Sequence, residues 1–151
     1  MIKVVNKSKY NLPTYAKDLD SGMDVRANIE DPIILKPLER ALVPTGLFFE
    51  LPDNLEIQVR PRSGLAAKHG ITVLNSPGTI DSGYKDEIKI ILINLSNEPF
   101  TINPGDRIAQ FVISEIKDVT VLEATEIDET DNRGGGFGHS GIEKLWNYLA
   151  G

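Results

Sequence analysis

Cysteine is absent from this 151-residue chain, which excludes both a disulfide framework and a thiolate metal site. Histidine is nearly absent: His69 and His139 lie far apart, so a histidine-built zinc centre is not expected. No apolar run approaches transmembrane length, and the N-terminal MIKVVNKSKY lacks the apolar core of a signal peptide. The expectation is a soluble, cytoplasmic protein with no membrane partner. Positive charge is also short, with 16 Lys and Arg against 22 Asp and Glu. The net charge of −6 argues against a nucleic-acid-coating surface, which needs clustered cations to meet phosphates. An anionic ligand would need a local concentration of basic residues, helped by a divalent metal.

Helical periodicity is almost missing as well. What stands in its place is a series of short β-type runs divided by turn residues. These are Ile2 to Val5, Ser21 to Ala27, Ile33 to Leu35, Ala41 to Val43, Gly46 to Leu51, Leu55 to Arg60, Ile88 to Asn94, Phe100 to Ile102, Arg107 to Ile116 and Val119 to Leu122. Met23, Val25 and Ala27 alternate with Asp24 and Arg26, and Leu55, Ile57 and Val59 with Glu56, Gln58 and Arg60, the period of half-buried strands. Many short strands with turn signals predict an antiparallel sandwich or barrel. Only Ser63 to His69 (a single turn) and Ile142 to Leu149 (a short amphipathic helix) offer helix. The length is that of one domain, burying roughly two-thirds of its unfolded surface. The β domain is expected over 1–122, followed over 123–151 by an acidic linker, a flexible Gly-rich arm and a short tail.

Five places carry candidate chemistry. Asn75 to Lys89, NSPGTIDSGYKDEIK, reads as strand, turn, strand: a β-hairpin with Asp81 and Tyr84 near its tip. It is either an ordinary hairpin or a rigid mount for a carboxylate, with backbone groups free to meet a flat ligand's edge. Arg60-Pro61-Arg62-Ser63-Gly64 is either a surface turn with solvated arginines or a phosphate cradle with Arg62 as bidentate partner. In Pro104 to Gln110, Asp106 with Arg107 reads as a structural turn pair, whereas the Gln110 amide can contact a phosphate or a partner. Asp24 is either a plain exposed strand residue or a carboxylate that binds the waters around Mg²⁺. Arg133 to Gly141, RGGGFGHSG, is too glycine-dense to stay ordered alone, yet it holds an aromatic, Phe137, that wants a stacking partner.

Together and in this order, Ser21–Ala27, Arg60–Gly70, Asn75–Ile90, Pro104–Gln110 and Arg133–Gly141 resemble the five motifs of the trimeric deoxyuridine triphosphatase (dUTPase) family. The resemblance covers nearly the whole chain. It implies an all-β jelly-roll or distorted β-barrel (a β-clip), a homotrimer with shared active sites, and Mg²⁺-assisted hydrolysis of dUTP to dUMP and pyrophosphate. That activity keeps uracil out of DNA and supplies dUMP for thymidylate synthesis. It further implies that Asp81 activates the attacking water and touches the 3′-hydroxyl. Asn75 and the backbone of Thr79, Ile80 and Lys89 would read the uracil edge, and Tyr84 would lie under the deoxyribose. Arg62, Ser63, Gly64 and Gln110 would hold phosphates, and Asp24 would support the hydrated metal. Arg133 would grip the γ-phosphate, while Phe137, with Gly138 beside it, would close over the uracil.

Three departures stand out: the last motif is one residue shorter between Arg133 and Phe137, Ser21 replaces a usual alanine and Asp86 a usual glycine. The related dCTP deaminase needs an acid/base glutamate where this chain has Ile91, which cannot move a proton.

Overall fold

The computed structural model describes residues 1–135. The chain divides into two units, Met1–Asp118 and Val119–Gly151. The first unit contains eleven strands and one helix: β1 (Lys3–Asn6), β2 (Met23–Arg26), β3 (Ile33–Leu35), β4 (Arg40–Pro44), β5 (Leu47–Glu50), β6 (Leu55–Arg60), α1 (Ser63–His69), β7 (Ile71–Val73), β8 (Gly78–Ile80), β9 (Lys89–Asn94), β10 (Phe100–Ile102) and β11 (Arg107–Glu115). The expectation of an all-β chain is met, and the strands form four ladders rather than one closed ring. These are β1–β5, β10–β3, the four-stranded β2–β11–β6–β8 and the three-stranded β4–β9–β7.

Alternation explains the core. Val25 on β2, Ile57 and Val59 on β6, and Phe111 on β11 point inward from the four-stranded sheet, as Val43, Ile90, Leu92, Ile71 and Val73 do from the three-stranded one. Phe111 is fully buried and meets Phe49 edge to face, with ring centroids 5.8 Å apart. Burying a side chain of this size is worth roughly 1.5–3 kcal/mol. Thr45 and Asn94 are the buried polar residues among those described, and Asn94 is the larger. It donates to the Leu35 and Glu98 carbonyls and accepts from the Ser96 amide and hydroxyl, so its burial leaves nothing unpaired.

Two expectations need correction. Gly78–Ile80 and Lys89–Asn94 do not zip into a hairpin: β8 pairs with β6, whereas β9 pairs with β4 and β7. The stretch is an arch whose arms belong to different sheets. Val119 to Leu122 forms no strand, although its composition suits one. Val119, Val121 and Leu122 are 71%, 89% and 81% exposed, and a strand needs a neighbour to hydrogen-bond. Ser63 to His69 is helical over the expected residues, a seven-residue helix closed by Gly70 in the left-handed conformation. The proposed Ile142 to Leu149 helix lies outside the described residues. In residues 119–135 of the second unit there is no helix or strand; Asp128 there accepts from the backbone and hydroxyl of Thr130, which lowers its carboxyl below the ordinary value.

Candidate active site

The four-stranded sheet gathers the candidate motifs side by side, one per strand. Asp24 on β2 faces Gln110 on β11, which faces Arg60 at the end of β6, and Gly78 on β8 sits opposite Val59. Four stretches far apart in the chain thus meet at one sheet.

At the Arg60 end the site is knitted by charge. Arg62 directs Nε to Asp24 Oδ1 at 2.8 Å and Nη2 to Oδ2 at 3.3 Å. Its Nη1 donates to the Arg107 carbonyl at 3.1 Å, and Arg107 Nη1 in turn donates to Asp24 Oδ2 at 3.0 Å. Arg107 therefore does not form the turn pair with Asp106 expected from sequence: Asp106 instead accepts from the Asn103 amide, closing the turn. Three of Arg62's five N–H groups are used, which leaves two for a ligand. Ser63 and Gly64 follow, both exposed at the first turn of α1, where backbone N–H groups have no intrahelical partner. The Gln110 amide fills the space above Gly22, where any Cβ would collide with Gln110 Oε1, and its Nε2 donates to the Pro61 carbonyl at 2.9 Å.

An ionised carboxylate accepts about four hydrogen bonds, and Asp24 uses three on the arginines. One lone pair of Oδ1 is left, enough for a metal-bound water and not for a carboxylate cage. Among the described residues no three His, Cys, Asp or Glu side chains stand together as a metal site. The donor set fits Mg²⁺ held mainly by phosphates and water, the usual preference of that ion.

Asp81 is elsewhere. It follows Ile80, which pairs with Ile57, so it lies about four strand residues, roughly 13 Å, along β6 from the level of Arg60. It is exposed, as is Tyr84. The arch that carries them is pinned at its far foot. Tyr84 Oη donates to the Glu87 carbonyl at 2.9 Å, and the Gly46 N–H donates to Glu87 Oε1 at 2.8 Å. Ile88 N–H donates to the Leu47 carbonyl, and the Thr45 hydroxyl to the Ile88 carbonyl. Gly46 sits at φ +70°, against Ser8 and Asn28, which suits a residue without a Cβ.

Asn75 is exposed on the approach to β8, and Thr79 and Ile80 lie on β8 itself. Since β8 is an edge strand, half of its backbone groups are unpaired. Lys89 opens β9 opposite Pro44, with its ammonium 4.0 Å from Glu87. Arg133 belongs to the second unit, and Phe137 and Gly138 lie outside the described residues. Ile91, where deamination would need a glutamate, pairs with Leu42.

Sequence reading missed Arg107 and Glu87. For Arg107 a signal existed: Ile108-Ala109, two apolar neighbours inside an alternating strand, marks a break of register.

The dUTPase family profile matches residues 8–141. A deoxyuridine 5′-triphosphate nucleotidohydrolase of Fusobacterium nucleatum subsp. nucleatum is 54% identical over 140 residues, covering 93% of this chain and 96% of that protein. Its counterpart in Cytophaga hutchinsonii is 55% identical, covering 93% and 91%. Among solved structures, the dUTPase from phage phi11 of S. aureus, with its structural Mg(II) ion, superposes with a TM-score of 0.76 at 21% identity, over 85% of this chain and 99% of that one. A Staphylococcus bacteriophage 80alpha dUTPase mutant with dUpNHpp reaches 0.79 at 23% identity, over 94% and 99%. These two likenesses speak for the fold. With the motifs collected on one sheet and more than half the residues shared with relatives of the same length, the chain belongs to the dUTPase family.

Proposed function

We propose that this protein hydrolyses dUTP to dUMP and pyrophosphate, as a homotrimer, with Mg²⁺, in the cytoplasm. The observation that carries the reading is the Asp24–Arg62–Arg107 cluster, which leaves one net positive charge and, on Arg62 alone, two free guanidinium N–H groups beside Ser63 and Gly64. That is an anion-binding end suited to a triphosphate.

Asp81 acts as the base that orients and activates the attacking water at the α-phosphorus. A carboxylate base with arginines suffices here, because phosphoryl-type substitution depends on positioning and charge stabilisation, not on a covalent nucleophile. Mg²⁺ supplies neutralisation of the phosphate charge when bound, with Asp24 accepting from its water. The uracil edge meets Asn75 and the backbone of Thr79, Ile80 and Lys89. The unzipped arch supports this role, since β8, as an edge strand, keeps backbone groups that no strand uses. Tyr84, held by its bond to the Glu87 carbonyl, packs against the deoxyribose. Gln110 joins the phosphate contacts, Arg133 takes the γ-phosphate, and Phe137 with Gly138 closes over the base.

Two features support the trimer. Asp81 lies roughly 13 Å along the sheet from the phosphate end, too far for one chain to serve both ends of the reacting group. The site is then shared, with the base and the phosphate cradle contributed by different copies. The outward face of the three-stranded sheet is also apolar: Leu42 is 57% and Leu74 47% exposed, beside half-buried Ile91 and Ile93. A strand apolar on both faces reads as one meant to be covered on both.

Pyrophosphate release from dUTP with Mg²⁺, measured beside dTTP, UTP and dCTP, tests the function. Release from dUTP alone is expected. Tight dUTP binding without release would instead make the protein a nucleotide sensor, and ammonia from dCTP would make it a deaminase.

A further inference from the structure

We propose that Thr45 is a positioning residue for the nucleoside end of the site, acting through Ile88 and the backbone on either side of it; this rests on the dUTP reading. Thr45 is buried in the turn between β4 and β5. The ladder between β4 and β9 runs Val43↔Ile90 and Pro44↔Lys89, and one further step would set Thr45 opposite Ile88. The ladder stops short of that step. Pro44 has no N–H to donate, and Gly46, at φ +70°, turns the chain away into β5. The Thr45 side chain takes the step instead. Its hydroxyl donates to the Ile88 carbonyl at 2.6 Å and accepts from the Leu47 N–H at 3.2 Å. The Leu47 carbonyl in turn receives the Ile88 N–H at 2.9 Å. Both backbone groups of Ile88, itself fully buried, are thus held by one turn.

That turn is anchored from its other side. The Lys7 N–H donates to the Gly46 carbonyl and the Asn28 N–H to the Pro44 carbonyl, each at 2.8 Å. A fixed turn that clamps Ile88 sets the path of both its neighbours. Glu87 offers the carbonyl that holds Tyr84 Oη, and Lys89 carries the backbone assigned to the uracil edge. The clamp needs a hydroxyl, because one atom must donate to one backbone group and accept from another. A methyl in its place would leave the Ile88 carbonyl and the Leu47 N–H buried without these partners, and the foot of the arch would lose its fixed level.

The test compares wild-type protein with Thr45→Val, Thr45→Ala and Thr45→Ser. Calorimetry reads binding of dUMP, which needs the nucleoside end, and of inorganic tripolyphosphate, which needs only the phosphate end. Steady-state kinetics separates KM from kcat for dUTP, and a melting curve monitors the fold. Thr45→Val and Thr45→Ala are expected to weaken dUMP and raise KM about fivefold, the scale of one buried hydrogen bond lost. Tripolyphosphate binding should be kept, and kcat should change less. Thr45→Ser keeps the hydroxyl but loses a packed methyl, so it should melt early yet bind dUMP almost as the wild type does. If Thr45→Val does not fold, Thr45→Ala against Thr45→Ser carries the same comparison. Unchanged dUMP binding and KM without the hydroxyl, or no dUMP binding by the wild type, overturns the proposal. So does Thr45→Ser as impaired as Thr45→Val, or an equal loss of tripolyphosphate, either of which would make the role structural. Wild-type protein whose dUMP binding depends on the Thr45 hydroxyl but which releases no pyrophosphate from dUTP would support the positioning role and sink the hydrolase reading.

Discussion

The phosphate end of the site and the 81–87 arch are built in opposite ways. At the phosphate end, half-buried side chains from three separate stretches hold one another through four hydrogen bonds, so the cradle exists before any ligand arrives. The arch is fixed at its foot, Glu87 and Ile88, while Asp81 stands exposed and its carboxylate makes no side-chain hydrogen bond among the described residues. A completed charge network needs nothing further in order to bind an anion. On the proposed reading, Asp81, exposed next to an unpaired backbone edge, becomes a working base only when substrate and a neighbouring copy surround it. The two ends therefore divide binding from turnover.

The sharpest way to break that division is Asp81→Asn. Removing the base while keeping the shape should lower kcat by about a hundredfold to ten-thousandfold, the usual share of general base catalysis. Binding of dUTP, read by calorimetry, should stay within a few fold because the cradle is untouched. Unchanged turnover would take Asp81 out of the mechanism and leave the arch as a base reader only.

Next comes subunit mixing. Asp81→Asn and Asp24→Ala are each expected to be nearly inactive, for different reasons. Refolded together in equal amounts, a trimer with sites shared between copies should regain about a quarter of the wild-type rate, since chance unites two intact halves in one site of four. Activity no higher than the sum of the separate variants would mean that each site is built within one chain.

The same contrast governs what was legible in the sequence. Local alternation located Leu55–Arg60 and Met23–Arg26 within two residues, because burial on one face imposes period two wherever the partner strands lie. Motif order gave the candidate residues. The ion-pair cluster was not legible: its contacts join residues 38 and 83 positions apart, and no local pattern encodes such a meeting. The hairpin expectation failed for a related reason. Turn chemistry around Ser82-Gly83 specifies a reversal, but which strand each arm pairs with is settled by the sheets on either side. Ile71–Val73 went unread, although Ile33–Leu35 and Phe100–Ile102 are as short, and Val119 to Leu122 shows the reverse error, β propensity without a partner.

Glu87 sharpens the comparison most finely, because it lies where the exposed tip meets the buried foot. Its carboxylate, 24% exposed, takes the Gly46 N–H, and its carbonyl takes Tyr84 Oη. Glu87→Ala removes the first bond and leaves the Gly46 amide, at a buried turn, without its acceptor. The expected loss is about 1–2 kcal/mol of stability, seen as a lower denaturation midpoint. Glu87→Gln keeps an acceptor oxygen and should lose less. The kinetic signature should be a rise of a few fold in KM for dUTP with kcat nearly kept, because Tyr84 would be placed less firmly while Asp81 keeps its chemistry. If kcat falls as far as KM rises, the foot of the arch also positions Asp81, and the separation between binding and turnover runs through the arch itself instead of between the two ends of the sheet.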